Sequence, residues 1–228
     1  YIDRGKQSYE MLKWLEQRPA NILLLRGNHE EEFAAYIDLM LLVDRMEELD
    51  SDFSSPADTA ALYESVKYLL RQKELSAAYF DLYGTIGILL EQNHVTLHDL
   101  HKWADMIRQM PYYQKIDIAG RNYIVVHAGY ADSLESIGGH YESLDSFYLY
   151  AREESLRSGV PHSTIIAGHT PTIVEESFAC NGGNVFRYYN AEKDCVFYDI
   201  DCGCVFRDGN PDAKLACICL EDEKIFYI

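Results

Sequence analysis

Four short polar segments of the sequence combine glycine with side chains that bind metals or phosphate. Three of them directly follow an apolar run, and the loops at the carboxyl ends of strands in an open α/β sheet meet in one crevice. Imidazole, amide and carboxylate groups suit Mn, Fe or Zn, and an arginine fork matches phosphate. One segment alone fits a structural histidine or a surface ion pair better, but together they predict metal-assisted chemistry on a phosphoryl group. The segments are Asp3-Arg4-Gly5, Arg26-Gly27-Asn28-His29-Glu30, His127-Ala128-Gly129 and Gly168-His169-Thr170-Pro171.

The elements that must position these segments follow an α/β rhythm. Apolar spacing predicts a helix over residues 9–18, which Pro19 ends, and then a buried strand over Ile22–Leu25. From about residue 31 to residue 111 the apolar period becomes helical. We therefore expect one domain over residues 1–228 with a helical insertion at about 31–111.

Capping patterns and apolar runs mark the remaining elements. Ser55-Pro56-Ala57-Asp58 indicates a capping box with Pro at the first helical position, and Thr96 with Asp99 opens a helix that closes before Pro111. The sheet then resumes as a hairpin and a series of short strands. The predicted strands are 116–118, 123–126, 164–167, 195–200, 214–220 and 224–227.

Composition and charge exclude several functional classes. The 228 residues are 48% hydrophobic and 25% charged, as in an ordinary globular protein. The longest apolar runs are far shorter than the roughly 20 residues of a membrane span. Twenty Lys and Arg against 37 Asp and Glu give a net charge of −17, which repels nucleic acid and anionic membranes. We expect neither as a partner.

The cysteines all lie in the last quarter of the chain, and two pairs are spaced C-x-C. A chain of this length does not need disulfide bonds for stability. The sequence also has no C-x-x-C spacing, the pattern that would indicate a metal site. We expect reduced, mostly buried thiols on strands, with a metal site as the alternative. Because reduced thiols are typical of the cytoplasm, we expect a cytoplasmic protein. The cysteines are Cys180, Cys195, Cys202, Cys204, Cys217 and Cys219.

The order of the polar segments resembles the calcineurin-like metallophosphoesterases, and within them the phosphoprotein phosphatase (serine/threonine phosphatase-like) branch. That branch carries GDxHG, GDxxDRG, GNH[DE], HAG or HGG, and GHT in sequence. This chain shows Asp3-Arg4-Gly5, Gly27-Asn28-His29-Glu30, His127-Ala128-Gly129 and Gly168-His169-Thr170 in the same order. The resemblance implies an α/β fold, a sandwich of mixed β-sheets flanked by helices.

The resemblance also implies roles for individual residues. Asn28, His127 and His169 correspond to the ligands that bind the second metal ion alone and are not shared with the first. His29 corresponds to the general acid that protonates the leaving alkoxide, and Asp3 to the carboxylate that orients it.

Two arginines correspond to clamps on the substrate phosphate. Arg4 follows directly from the DRG segment. Arg152, within Leu149-Tyr150-Ala151-Arg152-Glu153-Glu154, resembles the arginine of the bacterial-type WIRxxF segment, although the tryptophan is replaced.

The implied mechanism uses two divalent metal ions, manganese in the first place and iron or zinc as alternatives, with in-line attack of a metal-bound hydroxide on phosphorus. GDxHG and the Gly-Asp that would precede Tyr1 are not in this sequence. We therefore expect the ligands of the first metal, and the strand that bears them, to lie upstream of Tyr1 in the native protein.

Two further segments depart from the family pattern and leave the substrate open. The insertion lacks the family's NGG signature, and the segment most similar to it is Tyr83-Gly84-Thr85. Where relatives often have DTGA, this chain has Asp201-Cys202-Gly203-Cys204. The leading hypothesis is a phosphomonoesterase, with phosphorylated protein or a small phosphoester as substrate, and a serine/threonine protein phosphatase as the specific case. The alternatives are a hydrolase of dinucleoside polyphosphates or other small phosphoanhydrides, and a catalytically inactive module that binds phosphoproteins.

Overall fold

The structure is a computed structural model, and it describes residues 1–49, 51–73, 81, 83–138, 141–174, 178 and 181–228. Its contacts divide the chain into two compact units. The first comprises Tyr1–Leu24 and Asn28–Met110, and the second comprises Leu25–Gly27 and Pro111–Ile228. This division does not test the prediction of one domain with an insertion at about 31–111, which stays a prediction.

The first unit is helical in its described part, as the apolar period indicates. Thr96 and Asp99 form a capping box at the predicted helix start, in which each side chain accepts from the other residue's backbone N–H. The box predicted at Ser55 is only half formed. The Ser55 side chain accepts from the Asp58 N–H, but the Ser55 N–H donates to the Asp52 carbonyl oxygen. The helices are α1 Ser8–Glu16, α2 Asn28–Met46, α3 Pro56–Gln72, α4 Thr85–Asn93 and α5 Leu97–Arg108.

The core of this unit forms where α2, α3, α4 and α5 place their apolar faces together. In α5, Leu97, Leu100 and Trp103 are fully buried, which follows from their spacing of three residues. The side-chain hydroxyl of Thr59 in α3 accepts from the Leu97 N–H at 2.8 Å. A backbone donor at the start of α5 is therefore satisfied by the neighbouring helix.

The second unit is built on a five-stranded mixed sheet in the order β1-β2-β3-β5-β4. The three inner strands run parallel, and the two edge strands pair antiparallel to them. The predicted hairpin turns at Ala119-Gly120, both left-handed with φ of 53° and 79°, as a two-residue hairpin turn requires. The strands are β1 Tyr113–Ile118, β2 Arg121–Val126, β3 Ser163–Ala167, β4 Phe186–Asn190 and β5 Cys195–Asp199.

Both faces of this sheet are covered within the second unit. On one face, Phe147 of the short helix α6, Leu144–Tyr150, packs with Ile124 and Ile165. On the other face, a two-stranded sheet of β6, Ala216–Ile218, and β7, Ile225–Tyr227, packs over a separate apolar cluster. The α/β class with a mixed sheet is thus confirmed.

One predicted strand is wrong. Residues Ile22–Leu25 form no strand, and no strand of the described residues pairs with them. Leu23 is 69% exposed while Leu24 is buried. An apolar run of four residues supplies hydrophobicity but no ladder partner, so it cannot by itself specify a strand. Helix α6 and strand β4 were not predicted.

The predicted cysteine environment is only partly correct. The described cysteines are free thiols, and Cys195 and Cys202 are buried. Cys204 and Cys217 are exposed, so "mostly buried strand thiols" is wrong. Cys204 opens a 3₁₀ turn, Cys204–Phe206, after the left-handed Gly203, so the first C-x-C pair does not lie on a strand. Cys180 lies outside the described residues.

Within the described ranges, no helix is both long and apolar enough to span a bilayer.

Candidate active site

A carboxylate and an imidazole form the centre of the site in the first unit. Asn28 and His29 open α2, and Asp3 lies in the loop before α1. His29 Nδ1 lies 2.6 Å from Asp3 Oδ2, which is the hydrogen bond that the sequence predicts. Nδ1 is thereby committed to Asp3, so Nε2 is the ring nitrogen available to a reacting group.

The other oxygen of the Asp3 carboxylate is also engaged. The hydroxyl of Thr85, the first residue of α4, donates to Asp3 Oδ1. A carboxylate held through both oxygens cannot rotate freely, so it fixes the position of the Nδ1 atom from which it accepts. Asp3 and the His29 ring are both only partly exposed.

Three predicted site residues adopt a backbone conformation that side-chain-bearing residues rarely adopt. Asp3, Arg4 and His169 have φ of 70°, 58° and 71°. Left-handed backbone costs free energy, and it persists where the surroundings require it, often at functional sites. The DRG and GHT segments are therefore held in conformations that their own preferences do not explain.

Arg4 is held by an aromatic residue of the same unit. Its Nη2 donates to the Tyr83 hydroxyl at 2.7 Å, and its guanidinium carbon lies 4.8 Å from the Tyr83 ring centroid. The same ring lies 5.1 Å from the His29 ring at a 32° tilt. Tyr83 thus contacts both the predicted phosphate clamp and the predicted general acid.

Tyr83 has no predicted role, because in the sequence it is only part of a departure from the NGG pattern. A signal was present in the glycine that follows it. Gly84 has a left-handed φ of 69° and directly precedes α4, so the chain turns sharply there. That turn presents Tyr83 and Thr85 to Arg4 and Asp3.

A partly buried carboxyl group lies near the pair in the same unit. Asp81 accepts from the Gly87 N–H and the Tyr63 hydroxyl. Burial, together with the charge of Asp3, raises the pKa of Asp81. A small cavity of about 20 Å³, lined by Asp3, His29 and Asp81 among others, separates these groups. It has room for about one water molecule.

Two histidines form the site in the second unit. His127 directly follows β2, and His169 follows β3 by two residues. β2 and β3 are parallel neighbours, so their carboxyl ends meet at one edge of the sheet, as predicted. The Gly168 N–H donates to the His127 carbonyl oxygen at 2.9 Å, which ties the two loops together.

The two imidazoles fit a shared metal ion. His127 Nε2 and His169 Nδ1 lie 3.0 Å apart. Bonds of about 2.1 Å from one ion to each nitrogen require a separation below about 4.2 Å, so both can bind the same ion. No group of three or more His, Cys, Asp or Glu side chains in the described part of the chain is arranged to hold a metal.

The remaining predicted site residues are placed within their own units. Asn28 is buried at the start of α2, and its convergence with His127 and His169 stays a prediction. Arg152 is exposed and precedes the 3₁₀ turn Glu153–Leu156. Its backbone N–H donates to the Glu154 carboxylate. Its role as a phosphate clamp also stays a prediction.

Comparison with known proteins identifies the family. No curated protein matches the chain. The family model described as calcineurin-like phosphoesterase matches residues 1–201, a range that includes Asp3, Arg4, His29, His127 and His169. With a match over most of its length, the chain belongs to the calcineurin-like phosphoesterases.

Proposed function

We infer that the protein hydrolyses phosphomonoesters, and that phosphoserine or phosphothreonine in proteins is its substrate class. Membership of the phosphoesterase family supports the reaction type. The observation that carries the proposal is the 2.6 Å contact between Asp3 and His29, with Arg4 held nearby by Tyr83. A carboxylate, an imidazole and a guanidinium provide the parts for protonating a leaving alkoxide and binding a phosphate.

The proton transfer is assigned to His29. As water attacks phosphorus, the bond to the leaving oxygen breaks, and the leaving alkoxide takes the proton from His29 Nε2. The ring is then neutral, and the products are the alcohol and a phosphate that carries both protons of the attacking water. The phosphate releases one proton to solvent, and the ring takes one up from solvent, which restores the starting state. Asp3 accepts from His29 Nδ1, so Nε2 is the nitrogen left to transfer the proton.

Arg4 binds the phosphate in this scheme. A guanidinium offers paired N–H donors that match two phosphate oxygens. Its exposure leaves it accessible to a substrate, and Arg152 would provide a second clamp. The two arginines would offset the repulsion of an anionic substrate by a chain whose net charge is −17.

The family generally binds two divalent metal ions. We assign one of them to His127, His169 and Asn28, where it would supply positive charge for stabilising the phosphoryl oxygens. Manganese is the ion we expect there, and a reducing cytoplasm is the compartment we expect for the protein.

The test is hydrolysis of a phosphoserine peptide by the protein supplied with Mn²⁺. We expect turnover, and we expect His127→Ala to reduce it at least about 100-fold, since one metal ligand is lost. The matched control is His98→Ala, because His98 is an exposed histidine of α5. That variant should retain full activity.

Other outcomes would replace the proposal. Rapid hydrolysis of a dinucleoside tetraphosphate with no turnover of the peptide would favour a phosphoanhydride hydrolase. Tight binding of the peptide with no hydrolysis under Mn²⁺, Fe²⁺ or Zn²⁺ would favour a module that binds phosphoproteins. Equal activity of the two histidine variants would contradict the metal assignment.

A further inference from the structure

We propose that Tyr83 is a positioning residue that orients the phosphate clamp Arg4 through its hydroxyl and the general acid His29 through its ring. The proposal rests on the proposed function of the site. It adds a residue to which the family resemblance assigns no role, since Tyr83-Gly84-Thr85 only resembles the NGG signature that the chain lacks.

The first argument concerns Arg4. An exposed arginine side chain samples many rotamers, and that freedom must be lost when it binds a phosphate. Here the guanidinium is restricted before any ligand is present, by a 2.7 Å hydrogen bond and by the face of an aromatic ring. Arg4 also has a left-handed φ of 58°, so its backbone and its side chain are both constrained. Such preorganisation strengthens ligand binding.

The second argument concerns His29. Its ring is held at one edge by Asp3 and lies against the Tyr83 ring, with the centroids 5.1 Å apart. The carboxylate fixes one nitrogen, but a single hydrogen bond leaves the ring free to rotate about it. The packed aromatic ring limits that rotation, so Nε2 keeps its direction.

The two contacts use different parts of the tyrosine, so they can be separated by mutation. Tyr83→Phe removes the hydroxyl and keeps the ring. Tyr83→Leu removes both. Because Arg4 is assigned to binding and His29 to the chemical step, loss of the hydroxyl should raise KM, and loss of the ring should also lower kcat.

The experiment measures KM and kcat for a phosphoserine peptide with Mn²⁺. For Tyr83→Phe we expect KM to rise about 10- to 100-fold, the effect of one hydrogen bond to a charged group, and kcat to change less than about twofold. For Tyr83→Leu we expect a similar rise in KM and a fall in kcat of about tenfold or more. Tyr68→Phe, at an exposed tyrosine of α3, is the matched control and should change neither.

A double variant tests whether the hydroxyl acts through Arg4. In an Arg4→Ala background, Tyr83→Phe should cause no further rise in KM, because the group it positions is gone. Additive effects would overturn the proposal. An unchanged or lower KM for Tyr83→Phe alone would also overturn it, the lower value indicating that Tyr83 holds Arg4 away from the substrate. Should Tyr83→Leu fail to fold, the other two variants still decide the matter.

A binding measurement separates this proposal from the proposed function. Calorimetry with inorganic phosphate and Mn²⁺ requires no turnover. If the wild-type protein hydrolyses no phosphomonoester, the proposed function fails, while weaker phosphate binding by Tyr83→Phe than by Tyr68→Phe still supports the role of Tyr83. Equal phosphate affinity of these two variants contradicts that role whatever the activity.

Discussion

Asp3 and His29 are 26 positions apart in the sequence and come from two different local structures, a loop and a helix start. Nothing in the apolar pattern of the chain indicates that they meet. The order of the motifs does indicate it, and the 2.6 Å contact is present. At this scale the prediction succeeded because a motif encodes the chemistry that a site needs.

Replacing His29 by Asn tests the assignment of the proton. We expect His29→Asn to retain its bound metal and to hydrolyse a phosphoserine peptide at least about 100-fold more slowly, because an alkoxide leaves poorly without a proton. With p-nitrophenyl phosphate the loss should be much smaller, since that leaving group hardly needs protonation. Steady-state rates for both substrates, with metal content by elemental analysis, provide the measurement.

The control for this variant is His94→Asn. His94 is exposed and left-handed at the end of α4, with φ of 50°, a conformation that Asn tolerates well. It should match the wild-type rate on both substrates. A His29→Asn rate on the phosphoserine peptide that equals the wild-type rate would remove His29 from the mechanism.

At the scale of elements, helix ends were predicted well and isolated strands were not. The Thr96–Asp99 box marks the start of α5 because the signal is contained within four residues. A strand depends instead on partners elsewhere in the chain, so the apolar run Ile22–Leu25 gave a wrong prediction. β4 was missed for the opposite reason. It is an edge strand whose Arg187, Tyr188 and Tyr189 are exposed, so it shows no apolar run.

The residues around Tyr83 could not be predicted for a related reason. The contacts of Tyr83 with Arg4 and His29 join parts of the chain that are more than 50 positions apart. The segment that contains Tyr83 matches no family motif. Only the left-handed glycine beside them hinted at a turn. The roles of Asn28 and Arg152 depend on resemblance alone and stay predictions.

Thr59 links helices α3 and α5 of the first unit, so its replacement should lower the stability of the protein. The residue is fully buried, donates to the Ser55 carbonyl oxygen and accepts from the Leu97 N–H. Thr59→Val keeps the shape but leaves that buried N–H without its acceptor. We expect the free energy of unfolding to fall by about 1–3 kcal/mol, measured by urea denaturation.

Thr59→Ser is the matched control for this change. It restores the hydroxyl and removes only a methyl group, so most of the loss should disappear. A Thr59→Val variant as stable as the wild-type protein would mean that the hydrogen bond to the Leu97 N–H provides no net stabilisation.

At the scale of the whole molecule, the predicted chemistry comes from both compact units. Asp3, Arg4, Asn28 and His29 belong to the first, and His127, Arg152 and His169 belong to the second. The second unit also carries a buried acid that takes no part in the proposed reaction. Asp199, at the end of β5, is 1% exposed, and burial raises its pKa well above the ordinary value.

This acid should make the stability of the protein depend on pH. Between the ordinary pKa of about 4 and the raised pKa, the folded state binds more protons than the unfolded state, so the free energy of unfolding falls as pH rises. Asp199→Asn cannot ionise, yet its side-chain oxygen can still accept from the Asp201 N–H that Asp199 binds at 2.8 Å. We therefore expect the variant to gain stability relative to the wild-type protein as pH increases above about 4.

Urea denaturation of both proteins at a series of pH values from about 4 to 8 measures this difference. Asp208→Asn, at an exposed acid of the same unit, is the control, and its stability should follow the wild-type curve. If the difference in free energy of unfolding between Asp199→Asn and the wild-type protein stays constant with pH, folding does not raise the pKa of Asp199, contrary to what its burial requires. If instead the wild-type protein gains stability relative to Asp199→Asn as pH rises, folding lowers the pKa of Asp199. That result would mean that a favourable partner stabilises the ionised carboxylate.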